Sequence, residues 1–160
     1  MINQFLIIAF LSLIFTDHIQ AQPNQIEKMK QLDDMIGDWV GVSQQIKDDT
    51  IEKEVPAYES IKYGLDSHII IIDLKSETLV LHTIIQYDEE DETYYYHPFS
   101  KNGTGKYPAH FEDGKLIVVP KETVRYVFTL SEDGNFTEYG ERLIDNKWVR
   151  YFQDVFTLIE

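Results

Sequence analysis

Three groups of residues in this 160-residue chain have the types and spacing for chemistry. Along "LVLHTIIQY", strict alternation puts Val80, His82, Ile84 and Gln86 on one face and Leu79, Leu81, Thr83, Ile85 and Tyr87 on the other. His82 is then a lone imidazole on an apolar stripe, a group that titrates near neutrality and can serve as a general base. The plainer reading is a histidine hydrogen-bonded in a sheet wall.

The second group is the last hairpin. With Asp145 and Asn146 as a two-residue turn, Leu143 falls opposite Trp148, Glu141 opposite Arg150, and Tyr139 opposite Phe152. One face then carries an acid, a guanidinium and a phenol among aromatics. Such a set can hold a carboxylate and stack a sugar ring on Trp148 or Tyr139. The structural alternative is an ion pair, and a slip of one residue would present Glu138, Arg142 and Tyr151 instead. The third group, "TYYYHPFSKNGTGKYPAHF", gathers Tyr94, Tyr95, Tyr96, His97, Tyr107 and His110 around a Gly-containing loop, with His68 available to the same rim. Tyrosine and histidine there suit a grip on polyhydroxylated ligands and metal-free proton transfer, against the ordinary reading of a mobile loop bearing sheet tyrosines.

Other chemistries are disfavoured. The histidines lie too far apart for a metal signature, and neither His-x-His nor His-Glu-x-x-His occurs, so no metal is expected. The acidic run Asp88 to Glu92 lacks the glycine and spaced ligands of a calcium loop and reads as a solvated hairpin tip. No Gly-x-Ser-x-Gly, P-loop or dinucleotide fingerprint is present, and no cofactor is expected. A net charge of −14, with 14 Lys and Arg spread along the chain, disfavours nucleic acid and anionic membrane surfaces as partners. It still admits a small anionic ligand held by one or two arginines.

The elements that must position these groups follow from the patterning. Residues 1–21 read as a secretory signal peptide, with an apolar run from Phe5 to Phe15 and the small Ala21 before the cut. That run is short of the about 20 apolar residues of a membrane span, so no span is expected and the protein should be exported, periplasmic or secreted. Residues 22–160 suffice for one domain, which has no cysteine and must rely on its core. In "PNQIEKMKQLDDMIG", Ile26, Met29, Leu32 and Met35 recur at helical spacing behind Asn24 as a cap, predicting one short helix that ends near Gly37. About nine β-rich segments follow, separated by turn clusters such as "FEDGK", "SEDGN" and "IDNK". Sequential hairpins of this kind predict an up-and-down meander closing into a barrel.

A short helix followed by Gly37-Asp38-Trp39 entering the first strand of such a meander resembles the lipocalin-like (calycin) barrels, particularly the small exported lipocalin-like domains of bacteria. The resemblance implies an all-β, up-and-down antiparallel lipocalin-like barrel of about nine strands. It also implies that Trp39 packs at the closed end against a late arginine, Arg142 or Arg150, with the site at the other end.

The sharpest functional expectation is an exported barrel recognising a small carbohydrate. In its most specific form it is a metal-free dehydratase or lyase that eliminates across a uronic-acid-containing oligosaccharide in polysaccharide degradation. His82 would be the base and Arg150 the stabiliser of enolate-like charge, with Tyr139 and Glu141 beside them; His68, Tyr95, His97, Tyr107 and Trp148 would bind the ligand. The alternative is a non-catalytic lipocalin-like binding protein for a small hydrophobic or aromatic ligand. The ligand and the oligomeric state stay open.

Overall fold

The computed structural model describes residues 24–159, so the apolar leader and its cleavage site lie outside the described residues. The Asn24 side chain accepts the Glu27 N–H at 2.9 Å and starts helix α1, Gln25–Met29. The chain then tightens into a 3₁₀ helix over Lys30–Met35. The residues explain the change: Met29, Leu32 and Met35 are three apart, the spacing that eclipses side chains on a 3₁₀ helix, and all three are buried.

Eleven strands follow: β1 (Gly37–Lys47), β2 (Thr50–Gly64), β3 (Ile69–Ser76), β4 (Val80–Asp88), β5 (Thr93–Ser100), β6 (Gly103–Thr104), β7 (Tyr107–Glu112), β8 (Lys115–Lys121), β9 (Val124–Leu130), β10 (Phe136–Ile144) and β11 (Lys147–Leu158). Ten of them form a closed up-and-down antiparallel barrel, in which β11 returns to β1 and β6 is a two-residue flap on β5. The strand beyond the expected nine is β7. It is short, carries Pro108 and sits directly behind the glycine loop, so its pattern reads as loop. Asp48 and Asp49, Asp113 and Gly114, and Asp145 and Asn146 all take left-handed φ, the conformation that two-residue hairpins demand and that Asp, Asn and Gly tolerate.

The helices close one end of the barrel, with α1 against β4 and the 3₁₀ helix against β9. There Met29, Leu32 and Met35 pack with Trp39, Ile70, Phe136 and Phe156 as a plug. The Tyr94 hydroxyl donates to the Lys28 carbonyl at 2.7 Å, and the Tyr63 hydroxyl donates to the Asp33 carboxylate, fastening the plug to the wall. Trp39 is thus floor, but no arginine covers it. Its Nε1–H donates to the Met35 carbonyl at 2.9 Å, and Phe136 lies 5.2 Å from its ring. The carbonyl left free where the 3₁₀ helix ends satisfies the indole, so Arg142 and Arg150 are not needed there; they stack on Tyr151 and Tyr139.

Candidate functional site

Above the plug the apolar interior is interrupted by three acids. Glu59 on β2, Glu138 on β10 and Asp154 on β11 are 1%, 7% and 3% exposed. Each breaks an inward stripe that is otherwise apolar: Ala57 and Ile61 flank Glu59, Phe136 and Gly140 flank Glu138, and Phe152 and Phe156 flank Asp154. Glu138 and Asp154 are direct cross-strand partners, and Ser43 on β1 is the other neighbour of Asp154. Both Oε atoms of Glu59, Oε1 of Glu138 and Oδ1 of Asp154 are buried without a hydrogen-bond partner.

Burial of the charged form dominates their protonation. It pushes Glu59 up to about 8, against the lowering influence of the nearby Glu138 carboxyl and with a further rise from Asp154. Burial also pushes Asp154 up to about 6, moderated by hydrogen bonding from Ser43. Glu138 is held well above the usual carboxylate range by burial first, then by the charges of Glu59 and Asp154. Glu59 and Glu138 therefore keep protons near neutrality that ordinary carboxyls lose and titrate as a linked pair, while Asp154 holds its proton up to about pH 6.

Between this acid layer and the barrel end opposite the plug lies a cavity of about 220 Å³, with Glu138 and Asp154 in its wall. Tyr96, Tyr107, Tyr126, Phe128, Tyr151 and Phe152 supply aromatic surface, and Leu74, Leu79 and Leu81 supply aliphatic surface. The register shift between Gly140 and Glu141 leaves Tyr151 as an extra residue on β11, which brings Tyr151 and Phe152 together onto the cavity side. Gly140 makes room for this: a Cβ there would stand 2.1 Å from Phe152 Cε1. No Lys, Arg or His lines the cavity. Among the described residues, no group of three or more His, Cys, Asp and Glu is placed to hold a metal, and no helix is long and apolar enough to cross a membrane.

Most of the residues singled out from sequence lie elsewhere. His82 is on the outward face of β4, because Leu81, Thr83, Ile85 and Tyr87 take the inward one; its Nδ1 is 2.6 Å from Asp73 Oδ1, its neighbour on β3. Tyr139, Glu141, Trp148 and Arg150 do come together, but on the outer surface of the last hairpin. There Arg125 Nε donates to Glu141 Oε2 at 2.6 Å and stacks 4.4 Å over Trp148. Arg150 donates to Gln153 and stacks 3.8 Å over Tyr139. Tyr139 is opposite Gln153 rather than Phe152, a consequence of the same bulge.

His68 sits in the turn before β3 at the plug end, where its Nδ1 lies 2.8 Å from the Leu65 carbonyl and its own carbonyl accepts from Gln25. Tyr95 and His97 point outward from β5: Tyr95 donates to Asp91 Oδ2 at 2.6 Å under the Lys106 ammonium, and burial with the Lys106 charge lowers the His97 pKa. Tyr107 alone of the nine lines the cavity. Glu59 and Asp154 were missed, and Glu138 entered only as the product of a register slip, although each shows in the sequence as a carboxyl on an apolar stripe: "AYESIKY", "FTEYG" and "FQDVF".

No family model and no curated protein sequence matches the chain. Among solved structures, the chain is similar to zebrafish ileal bile acid-binding protein in complex with cholic acid, at a TM-score of 0.41 and 13% identity, over 79% of this chain and 99% of that one.

Proposed function

We propose that this barrel is a non-catalytic binding protein that takes a small hydrophobic or aromatic molecule into its interior. The observation that carries the reading is the aromatic and aliphatic cavity of about 220 Å³ above the acid layer. An apolar cavity of about 150 Å³ accommodates benzene, whereas drug-sized ligands occupy about 300 Å³ or more, so the volume fits a one-ring molecule with a short substituent.

Two features weigh against elimination on a uronate. His82 and Arg150 lie on outer faces of β4 and β11, which three strands separate, so base and guanidinium do not share a site. A uronate inside would bring another carboxylate against Glu138 and Asp154, where no cationic side chain lines the wall. The apolar run Phe5 to Phe15 supports a barrel that works after export, and N-terminal sequencing of the mature protein should begin near Gln22.

The test is calorimetric titration with 2-phenylethanol, a neutral one-ring probe. The native protein should bind it, and Leu81→Trp, which fills the cavity from the β4 wall, should abolish binding while circular dichroism is retained. Equal binding by both proteins, or none by the native protein, would overturn the reading.

A further inference from the structure

Buried carboxyl oxygens in a native fold ordinarily have partners, and here two carboxyls that face the ligand cavity each leave one oxygen without one. Glu138 Oε1 and Asp154 Oδ1 are both buried and unpaired, on side chains 7% and 3% exposed, and both residues line the cavity. As direct antiparallel partners their Cβ atoms lie about 4.5–5.5 Å apart, so a single donor group between them can reach both carboxyls. Neither carboxyl has a cationic partner in the cavity wall. Glu59 is a third buried acid beside the pair, no Lys, Arg or His lines the cavity, and the chain carries a net charge of −14. Arg142 stacks at 4.2 Å over Tyr151 and hydrogen-bonds it, but its side chain is exposed and does not line the cavity.

Resting on the cavity reading above, we infer that the preferred occupant is an aromatic or alicyclic primary amine, bound as its ammonium ion between Glu138 and Asp154 with its ring among Tyr96, Tyr126 and Phe152. An ammonium has three N–H donors and no acceptor, and its charge favours the ionised, acceptor-only form of both carboxyls, leaving a donor for Glu59 or water. Charge-assisted hydrogen bonds of this kind are about twice as strong as neutral ones. The surrounding tyrosine and phenylalanine faces attract a cation and repel an anion. A hydroxyl in the same place offers one donor and no charge. A carboxylate adds repulsion.

The experiment compares phenethylamine, 2-phenylethanol and 3-phenylpropionate by calorimetry on the intact protein near pH 8, where the amine is cationic. The amine should bind at least about tenfold more tightly than the alcohol, and the propionate more weakly than both. In the Glu138→Gln/Asp154→Asn variant the advantage of the amine over the alcohol should shrink to within about twofold, with alcohol affinity kept within about threefold. Alcohol binding as tight as amine binding in the native protein, blocked by Leu81→Trp, would overturn the amine inference and leave the cavity reading standing. So would an amine advantage that survives the double substitution. Absence of binding by all three probes would overturn the cavity reading itself. The comparison of probes on the native protein decides the inference even if the variant folds poorly.

Discussion

Glu138 and Asp154 face each other directly across β10 and β11, and both line a cavity bordered by no Lys, Arg or His. Like charges in direct cross-strand register oppose folding, and desolvation adds to the cost. The arrangement ties stability, protonation and ligand choice to the same few atoms.

Stability should therefore fall as pH rises. A carboxyl whose pKa is raised in the folded state keeps its proton where the unfolded chain has lost it, so each unit of pH above the unfolded value favours unfolding. For Asp154 the window runs from 3.8 to about 6, and for Glu59 from 4.5 to about 8. Scanning calorimetry should show a Tm that drops by at least about 5 °C between pH 5 and pH 8, with a flatter profile for Glu59→Gln. A Tm that is level or rising over that range would contradict the burial of these acids.

Gly140→Ala should disturb the cavity wall. The added methyl meets Phe152 Cε1 at 2.1 Å and Tyr151 Cε1 at 2.9 Å, so the Phe152 ring must move within the interior. Overpacking of this kind costs about 1–3 kcal/mol, measurable by urea unfolding, and binding of one-ring probes should weaken with it.

At the plug end, Trp39→Ala removes the stack on Phe136 and should cost about 3–5 kcal/mol. Trp39→Phe keeps a ring but leaves the Met35 carbonyl without its donor, an effect of about 1–3 kcal/mol. Near-equal costs for the two variants in urea unfolding would show that the indole hydrogen bond, which both remove, rather than packing holds the floor.

His82→Ala and Arg150→Ala should leave probe binding within about twofold of the native protein, since both side chains face away from the cavity. Incubation with uronate-containing oligosaccharides should produce no ultraviolet absorbance from an unsaturated uronate. Product formation that either substitution abolishes would restore a site on the outer surface.

Particular residues show what could be read without coordinates. The alternation of β4 separates the two faces correctly, but both stripes are rich in apolar residues, so the sequence does not say that Leu81 and Ile85 face inward and His82 outward. The Asp145-Asn146 turn sets Leu143 opposite Trp148 and Glu141 opposite Arg150 as its geometry requires. Beyond Gly140 the bulge shifts the register, and a single extra residue leaves no mark on a period of two. The helix spacing and the Asn24 cap are local features and read true, whereas the partner of Trp39 depends on a carbonyl released by a 3₁₀ turn. Glu59, Glu138 and Asp154 were visible as acids on apolar stripes, but three distant segments must close into a barrel before they become one cluster.

The most direct measurement of the central claim is a set of intermolecular NMR contacts between bound 2-phenylethanol and assigned side chains. The probe should show contacts to Leu74, Leu81 and Phe152, which line the interior cavity together. Contacts confined to Val80, His82 and Phe99, which border the groove on the outer wall, would contradict interior binding.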